Sequence, residues 1–313
     1  MYYSFAPLEG ITDSVYRRAH ARFYPGLARY YTPFISTNQN HVFTPRDLRE
    51  LAPENNPGLT LVPQLLGKNA DDFLWAAGAL RDMGYSEVNL NLGCPSGTVT
   101  AKGKGSGFLQ YPQQLDAFLE AIFSACPIKI SVKTRIGYAS ADEFAALCEI
   151  YGRYPLSELI IHPRTAKEQY SGSIHHASFE TAAALCKNIP LVYNGDIMSI
   201  NDCSHLQQLH PQAAGLMLGR GLIARPWLLN GNCDINTLRS FHRTLCEEYP
   251  VVFGSENSAL HRMKAIWFYM LPVFRGGERY AKALKKARRW QDFISTADDI
   301  LSRCDITEEQ EST

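Results

Sequence analysis

The alternation of two patterns constrains this chain more than anything else in it. Up to about residue 235, short β-rich runs take turns with amphipathic helical stretches. Eight runs read as strands: 2–7, 27–34, 59–66, 87–92, 128–134, 158–162, 191–194 and 215–218. Helical patterns lie between most of them, as at 71–83, 112–124, 141–151 and 179–187. The first has apolar residues at 73, 74, 77 and 80, a helical spacing. Start signals support the assignment: Asn69 stands ahead of Asp71, and Ser140 followed by Glu143 forms a capping box. Eight β-then-α units are the content of a (β/α)8 TIM barrel, and this α/β class is the expected fold. A doubly wound sheet is the alternative. It is disfavoured because no Gly-rich dinucleotide turn follows the first strand.

After residue 235 the alternation stops. The segments 237–249, 258–270, 279–293 and 297–303 read as helices only, punctuated by Gly276-Gly277. The expected division is a barrel over 1–235 and a small all-helical C-terminal domain over 236–313, with a frayed polar tail at 307–313. Lys+Arg and Asp+Glu both number 31, so net charge offers no case for nucleic acid, although a local basic face stays open. The 8 cysteines include no CxxC pair and no zinc spacing, so no metal is expected and the thiols read as reduced. The N-terminus reads as a strand rather than a signal peptide. No apolar run approaches the roughly 18 residues needed to span a bilayer. A soluble, cytoplasmic protein with no membrane partner is expected.

In a barrel, chemistry sits at the C-terminal ends of the strands. Those ends are polar here. Pro7-Leu8-Glu9-Gly10 closes the first strand, and Gln64 begins the end of the third. Asn89, Asn91 and Cys94 come from the fourth, Lys133 and Arg135 from the fifth, His162 and Arg164 from the sixth. Asn194-Gly195-Asp196 and Gly219-Arg220-Gly221 end the seventh and eighth. Unpaired buried polar groups are costly, so a run of such ends implies a ligand that all of them touch. The last two loops suit a phosphate, approached through glycine backbone and paired with Arg220. Gln64 and the asparagines suit the edge of a heteroaromatic ring, and Lys133 the charge of a reduced ring. Flavin mononucleotide (FMN) meets all these demands. Lys133 also reads as a member of a buried salt bridge. Cys94, held in the Gly/Pro turn Gly93-Cys94-Pro95-Ser96-Gly97, is exposed and oriented as a reacting thiol would be.

These residues resemble a known family. Asn89-Leu90-Asn91-Leu92-Gly93-Cys94-Pro95-Ser96, Ser131-Val132-Lys133-Thr134-Arg135, His162-Pro163-Arg164-Thr165, Asn194-Gly195-Asp196 and Gly219-Arg220-Gly221 occur in the order found in tRNA-dihydrouridine synthases. The resemblance covers nearly the whole chain. It implies a flavoenzyme that reduces a specific uridine in tRNA, with FMN bound and NADPH or NADH as reductant. It implies Cys94 as proton donor and Asn91 facing the uracil. Pro7, Leu8, Gln64, Lys133, His162, Asn194, Gly195, Asp196, Gly219 and Arg220 are the residues it implies around the flavin. Arg135, Arg164, Lys102 and Lys104 are expected on the substrate side, the two lysines within the Gly-rich loop after the cysteine. Leu8-Glu9, Pro163, Lys104 and Ser106 depart from common family residues and leave the subgroup and target uridine open.

The segment 262–289 is strongly basic, with Glu278 its only acid, and aromatics interleave with the charges. Its lysines, Lys285 and Lys286 among them, are expected to hold tRNA, with most of the aromatics in the core. His162 reads either as a packed histidine or as a flavin or substrate contact. Three rival functions remain at this point. They are a flavin barrel acting on a small pyrimidine, a Schiff-base aldolase using Lys133, and a non-catalytic tRNA-binding protein. A monomer without an obligate protein partner is expected.

Overall fold

The computed structural model describes residues 1–231 and 233–307, so all but Thr307 of the expected tail lies outside the described residues. Among the described residues, ten short strands form one sheet: β1 (Tyr2–Phe5), β2 (Arg29–Tyr31), β3 (Ile35–Ser36), β4 (Leu61–Val62), β5 (Gln64–Leu66), β6 (Glu87–Leu92), β7 (Lys129–Arg135), β8 (Leu159–His162), β9 (Leu191–Tyr193) and β10 (Gly215–Leu218). All pairings are parallel, in the order β3-β5-β6-β7-β8-β9-β10-β1-β2-β4. The result is a curled parallel sheet surrounded by helices, followed by a helical C-terminal region.

The expected closed ring of eight strands needs correcting. The ladder is open, with β3 and β4 at its ends. Proline is the reason. Pro33 lies between β2 and β3, and Pro63 between β4 and β5. Neither has an N–H to donate, so pairing lapses beside each and two expected strands become four.

Period-two alternation decides which side chains face inward. On β6, Val88, Leu90 and Leu92 join the core beneath the helices, leaving Asn89 and Asn91 on the concave side. On β7, Ile130 and Val132 face out while Ser131, Lys133 and Arg135 face in. On β8, Leu159 and Ile161 face out, and Ile160 and His162 face in. The apolar part of the interior is small: Ala6, Tyr31, Val62, Ile160, Val192 and Met217. The main core lies between sheet and helices, where Ala70–Asp82, Pro112–Ala125 and Phe144–Tyr151 bury their apolar stripes. The Asn69 cap and the Ser140–Glu143 capping box are both present.

The C-terminal region contains the helices Ile235–Phe253, Glu256–Met270, Ala281–Lys286 and Trp290–Arg303. Leu238, Phe241, Leu245 and Tyr249 form one buried stripe of the first of these. The region is bonded to the helix Ser14–Phe23 and its cap: Tyr249 Oη donates to Asp13 at 3.1 Å, and Arg262 pairs with Asp13 at 3.0 Å. The helix expected at 279–293 is broken. Ala287 turns extended (φ −51°, ψ 127°), and helix resumes only at Trp290, running without interruption through the segment expected as 297–303. Tertiary structure causes the break. Lys264 Nζ donates to the carbonyl oxygens of Lys285 (3.1 Å) and Ala287 (2.5 Å), and Ala287 and Phe293 on either side of the turn are both buried. No helix among the described residues is long and apolar enough to cross a membrane.

Candidate active site

A cavity of about 800 Å³ opens at the C-terminal ends of the strands. All ten residues expected around the cofactor line it, as do Cys94, Asn91 and Arg135. They converge because they are inward-facing residues of the strands or lie on the loops that leave the strands' C-terminal ends. Arg164 lies behind the wall, Lys102 and Lys104 sit on the loop after the cysteine, and Lys285 and Lys286 are exposed on Ala281–Lys286, outside the cavity.

The Cys94 turn is held from two sides. Asn91 Oδ1 accepts from the N–H groups of Gly93 (3.0 Å) and Cys94 (2.9 Å). From below, the Ser106 N–H (3.1 Å) and hydroxyl (2.9 Å) both donate to the Cys94 carbonyl. Gly105 makes that approach possible: φ is +57°, and a Cβ there would stand 2.8 Å from the Cys94 oxygen. Gly105 thus serves close packing against the cysteine turn, and Gly107 packs against the Thr100 backbone. Lys104 Nζ reaches the Thr37 carbonyl at 3.2 Å. Burial raises the Cys94 pKa, against the opposing pull of the Ser96 backbone, Arg135 and Lys133. The group is therefore a proton-carrying thiol at neutral pH.

Lys133 and His162 supply the floor. Burial, reinforced by Arg135 and opposed by Cys94, lowers Lys133 to about 7. Burial and then Arg135, Lys133, Arg164 and Arg220 hold His162 well below the ordinary histidine value, so the ring is neutral. His162 Nε2 is buried with no hydrogen-bond partner among the described residues. An orphaned ring nitrogen in a cavity wall is placed to meet a ligand donor or acceptor.

The arginines divide their tasks. Arg135 spends its guanidinium on carbonyl oxygens, of Gly93 (2.9 Å), Thr165 (2.8 Å) and Gln169 (2.7 Å). Arg164 bonds the Gly172 carbonyl (2.6 Å) and Asp196 (2.5 Å). Both brace loops. Arg220 also pairs with Asp196 at 2.5 Å but remains partly exposed at the cavity. Burial pushes the Asp196 carboxyl up, yet the two arginines outweigh it and hold it below the usual range. A Cβ on Gly221 would stand 2.2 Å from the Ile197 carbonyl oxygen, so the last two loops meet backbone to backbone.

The cavity contains residues that sequence reasoning passed over. Tyr170 is 54% exposed, with the guanidinium groups of Arg135 and Arg220 each 5.2 Å from its ring centroid. Phe268 and Tyr269 come from the C-terminal region. The expectation that most aromatics there pack the core is met by Trp267, at 1% exposed, while its neighbour Phe268, at 73%, is an exception. Nothing in the local pattern separates the two; the roll of the helix Glu256–Met270 does. Glu9 also lines the cavity and pairs with Arg46 at 2.5 Å.

The donor set fits FMN. It offers a neutral imidazole with a free nitrogen, an amine and an amide on the floor, and two glycine loops with an arginine at one side. Among the described residues no cluster of His, Cys, Asp or Glu would hold a metal ion.

Fold and cavity together define the class: an α/β enzyme with its chemistry at the C-terminal ends of a curled parallel sheet. Two solved structures share the fold at low identity. An old yellow enzyme homologue from Zymomonas mobilis (NCR) matches with a TM-score of 0.52 and 11% identity, over 73% of this chain and 87% of that one. Morphinone reductase matches with a TM-score of 0.50 and 12% identity, over 73% and 84%. The chain belongs to the dihydrouridine synthase (Dus) family, whose model matches residues 4–311. A probable tRNA-dihydrouridine synthase of Rhodobacter capsulatus is 31% identical over 72% of this chain and 68% of its own length. Probable tRNA-dihydrouridine synthase 1 of Synechocystis sp. is 29% identical over 93% and 79%.

Proposed function

We propose that this protein is a flavin-dependent tRNA-dihydrouridine synthase, reducing the C5–C6 double bond of a uridine in tRNA with FMN as resident cofactor and NADPH or NADH as reductant. The observation that carries the reading is the protonated Cys94 thiol at the rim of a cavity floored by Gln64, Lys133 and the unpartnered His162. When bound, FMN supplies a hydride to C6 of the uracil. Cys94 gives its proton to C5 and regains one from solvent. Lys133 faces the electron-rich ring with its ammonium. Gln64 and His162 hold the ring edge, with Pro7 and Leu8 beside it. Asn194, Gly195, Asp196, Gly219 and Arg220 hold the phosphate end. Asn91 turns its remaining N–H toward the uracil, and Arg135 and Arg164 act on the substrate side by fixing the loops around it.

The two proline-interrupted segments act as single strands in this reading, which makes the sheet an eight-stranded barrel over 1–235. The helical part, 236–313, holds tRNA together with the barrel rim. His261, Lys264 and Phe268 follow one another at helical spacing on Glu256–Met270. Lys264 also reaches the end of Ala281–Lys286, so the basic surface of Lys285 and Lys286 continues to the cavity mouth. Lys102 and Lys104 add charge from the opposite rim. The uridine must leave its stack to enter the cavity, and exposed Phe268 and Tyr170 offer faces on which bases stack. The working unit is a monomer in the cytoplasm.

An absorption spectrum of the purified protein tests the reading, followed in one cuvette by anaerobic NADPH and then unmodified tRNA. Flavin bands that bleach with NADPH and return only on adding tRNA are expected. A colourless protein that FMN does not reconstitute, or one trapped by borohydride through Lys133, would replace it with the aldolase reading. Reoxidation by free pyrimidines and not by tRNA would favour the small-molecule rival.

A further inference from the structure

We propose that Ser131 and Asn89, both buried out of reach of the cavity, are positioning residues for Cys94. They act through a hydrogen-bonded chain that also includes the cofactor-facing Gln64. The chain crosses three strands. The Cys94 N–H donates to Asn91 Oδ1 (2.9 Å), and Asn91 Nδ2 to Gln64 Oε1 (2.7 Å). Gln64 Nε2 donates to Asn89 Oδ1 (2.8 Å), and Asn89 Nδ2 to the Ser131 hydroxyl (3.0 Å). Strand register builds it: Gln64 pairs across the ladder with Asn89, and Asn89 with Ser131. Ser131 and Asn89 are 0% exposed and neither lines the cavity.

The polarity of this chain is dictated at one end. Backbone N–H groups can only donate, so the Asn91 oxygen must face Gly93 and Cys94. Its amide nitrogen then faces Gln64, whose oxygen must point back, whose nitrogen must face Asn89, and so on to Ser131. One flipped amide would set oxygen against oxygen or N–H against N–H between side chains that are all buried. The hydroxyl of Ser131 is the terminus that accepts the last N–H. With it in place, Gln64 can present only its second N–H and its second lone pair to the cavity. The turn that aims the thiol and the group that meets the cofactor thus share one chain that ends at Ser131, on the strand beside β6 and two strands from Gln64. This inference rests on Cys94 being the proton donor, but its first readout does not.

The test compares Ser131→Ala, Ser131→Val and Ser131→Thr. In ligand-free protein, alkylation of Cys94 by iodoacetamide is followed by mass spectrometry of the Cys94 peptide. In FMN-loaded protein, reduction by NADPH and reoxidation by tRNA are timed separately. Losing the terminal acceptor should speed Cys94 alkylation about fivefold, the equivalent of one ordinary buried hydrogen bond. It should slow tRNA-driven reoxidation by a similar factor and leave NADPH reduction within about twofold, as expected for a group acting through the thiol turn. Ser131→Thr, which keeps the hydroxyl, should restore both. Threonine and valine have the same shape, so that pair carries the comparison if the alanine variant does not fold. Alkylation unchanged in the valine variant, or equal in valine and threonine, would overturn the proposal. A change in alkylation with normal turnover by Cys94→Ala would leave the positioning intact and remove the acid role instead.

Discussion

The two ends of the sheet are built from the same strands, and both are lined with polar groups. At the N-terminal end the carboxylates and their neighbours satisfy one another, although the buried Ser4 hydroxyl has no partner among the described residues. Glu158 accepts from the hydroxyls of Tyr31 (2.8 Å) and Tyr2, and Arg29 lies 3.7 Å away. Arg29 also pairs with Glu87 at 3.2 Å, and the Ser157 hydroxyl reaches the same carboxylate at 3.2 Å. At the C-terminal end, His162 Nε2 has no partner among the described residues and Lys133 borders a cavity of about 800 Å³. Burial is common to both ends; pairing of the titratable groups is not. A closed polar network seals a barrel floor, and an incomplete one marks where a ligand finishes the set.

The contrast is most exposed to failure at Cys94. Cys94→Ala should bind FMN and accept electrons from NADPH, while turnover on tRNA falls by about 10²–10⁴, the range for a positioned proton donor. Dihydrouridine measured on tRNA by mass spectrometry decides it, and near-normal product would sink the acid role. Lys133→Met comes next. It should weaken FMN binding by roughly 10–100-fold, as expected for removing a charge-assisted hydrogen bond, read by fluorescence titration. The sign of its pH dependence follows from linkage. The free-state value is about 7, and an anionic ligand raises it. Affinity is therefore flat below pH 7 and falls above it, by at most about tenfold per unit, as binding must take up a proton. The methionine variant should lack that slope.

Phe268→Ala should raise the KM for tRNA by about fivefold to tenfold, the lower range for losing one stacked base, with NADPH oxidation rates unaltered. Lys285→Gln with Lys286→Gln should make the plot of log affinity against log salt shallower by roughly 1.8, at about 0.9 for each phosphate no longer neutralised. An unchanged slope would place the RNA elsewhere. A last effect, on stability rather than on activity, belongs to the floor. Burial lifts Glu158 to about 8, although Arg29 and the tyrosine hydroxyls favour the charged form. The unfolded carboxyl titrates near ~4.3. The folded state thus holds the extra proton between those values. Stability is unaffected below the lower value, declines as pH rises through the interval and levels off above 8. Glu158→Gln should remove that decline, shown by comparing Tm at pH 6 and pH 9. A wild-type Tm with no decline would mean the tyrosines and Arg29 hold an ionised carboxylate.

Much of this was legible in the chain. Strand positions followed from β-rich runs, and the inward residues from alternation, because both depend on near neighbours. Cys94, Lys133, His162 and the two glycine loops were legible because strand ends in an α/β sheet point to one place. The proline interruptions at 33 and 63 were visible as residues, but their effect on the ladder depends on the strand alongside. The break at 287–289 was hidden, since the local pattern there favours helix and the competing partner is Lys264, more than twenty residues earlier. Phe268 was hidden for a related reason: a helix turns each residue by a fixed angle, but its packing sets which angle faces the cavity.

Local sequence by itself therefore determined the element types, the inward polar set and the membership of the strand-end site. Each of these is set by periodicity or by chain direction, which neighbouring residues encode. Only the tertiary structure decided that Arg135 and Arg164 brace loops, that Tyr170 and Phe268 reach the cavity, and that Glu158 finds partners at one end of the sheet while His162 at the other does not. Hydrogen-bond completion is a property of groups brought together from distant segments, and no single segment carries it.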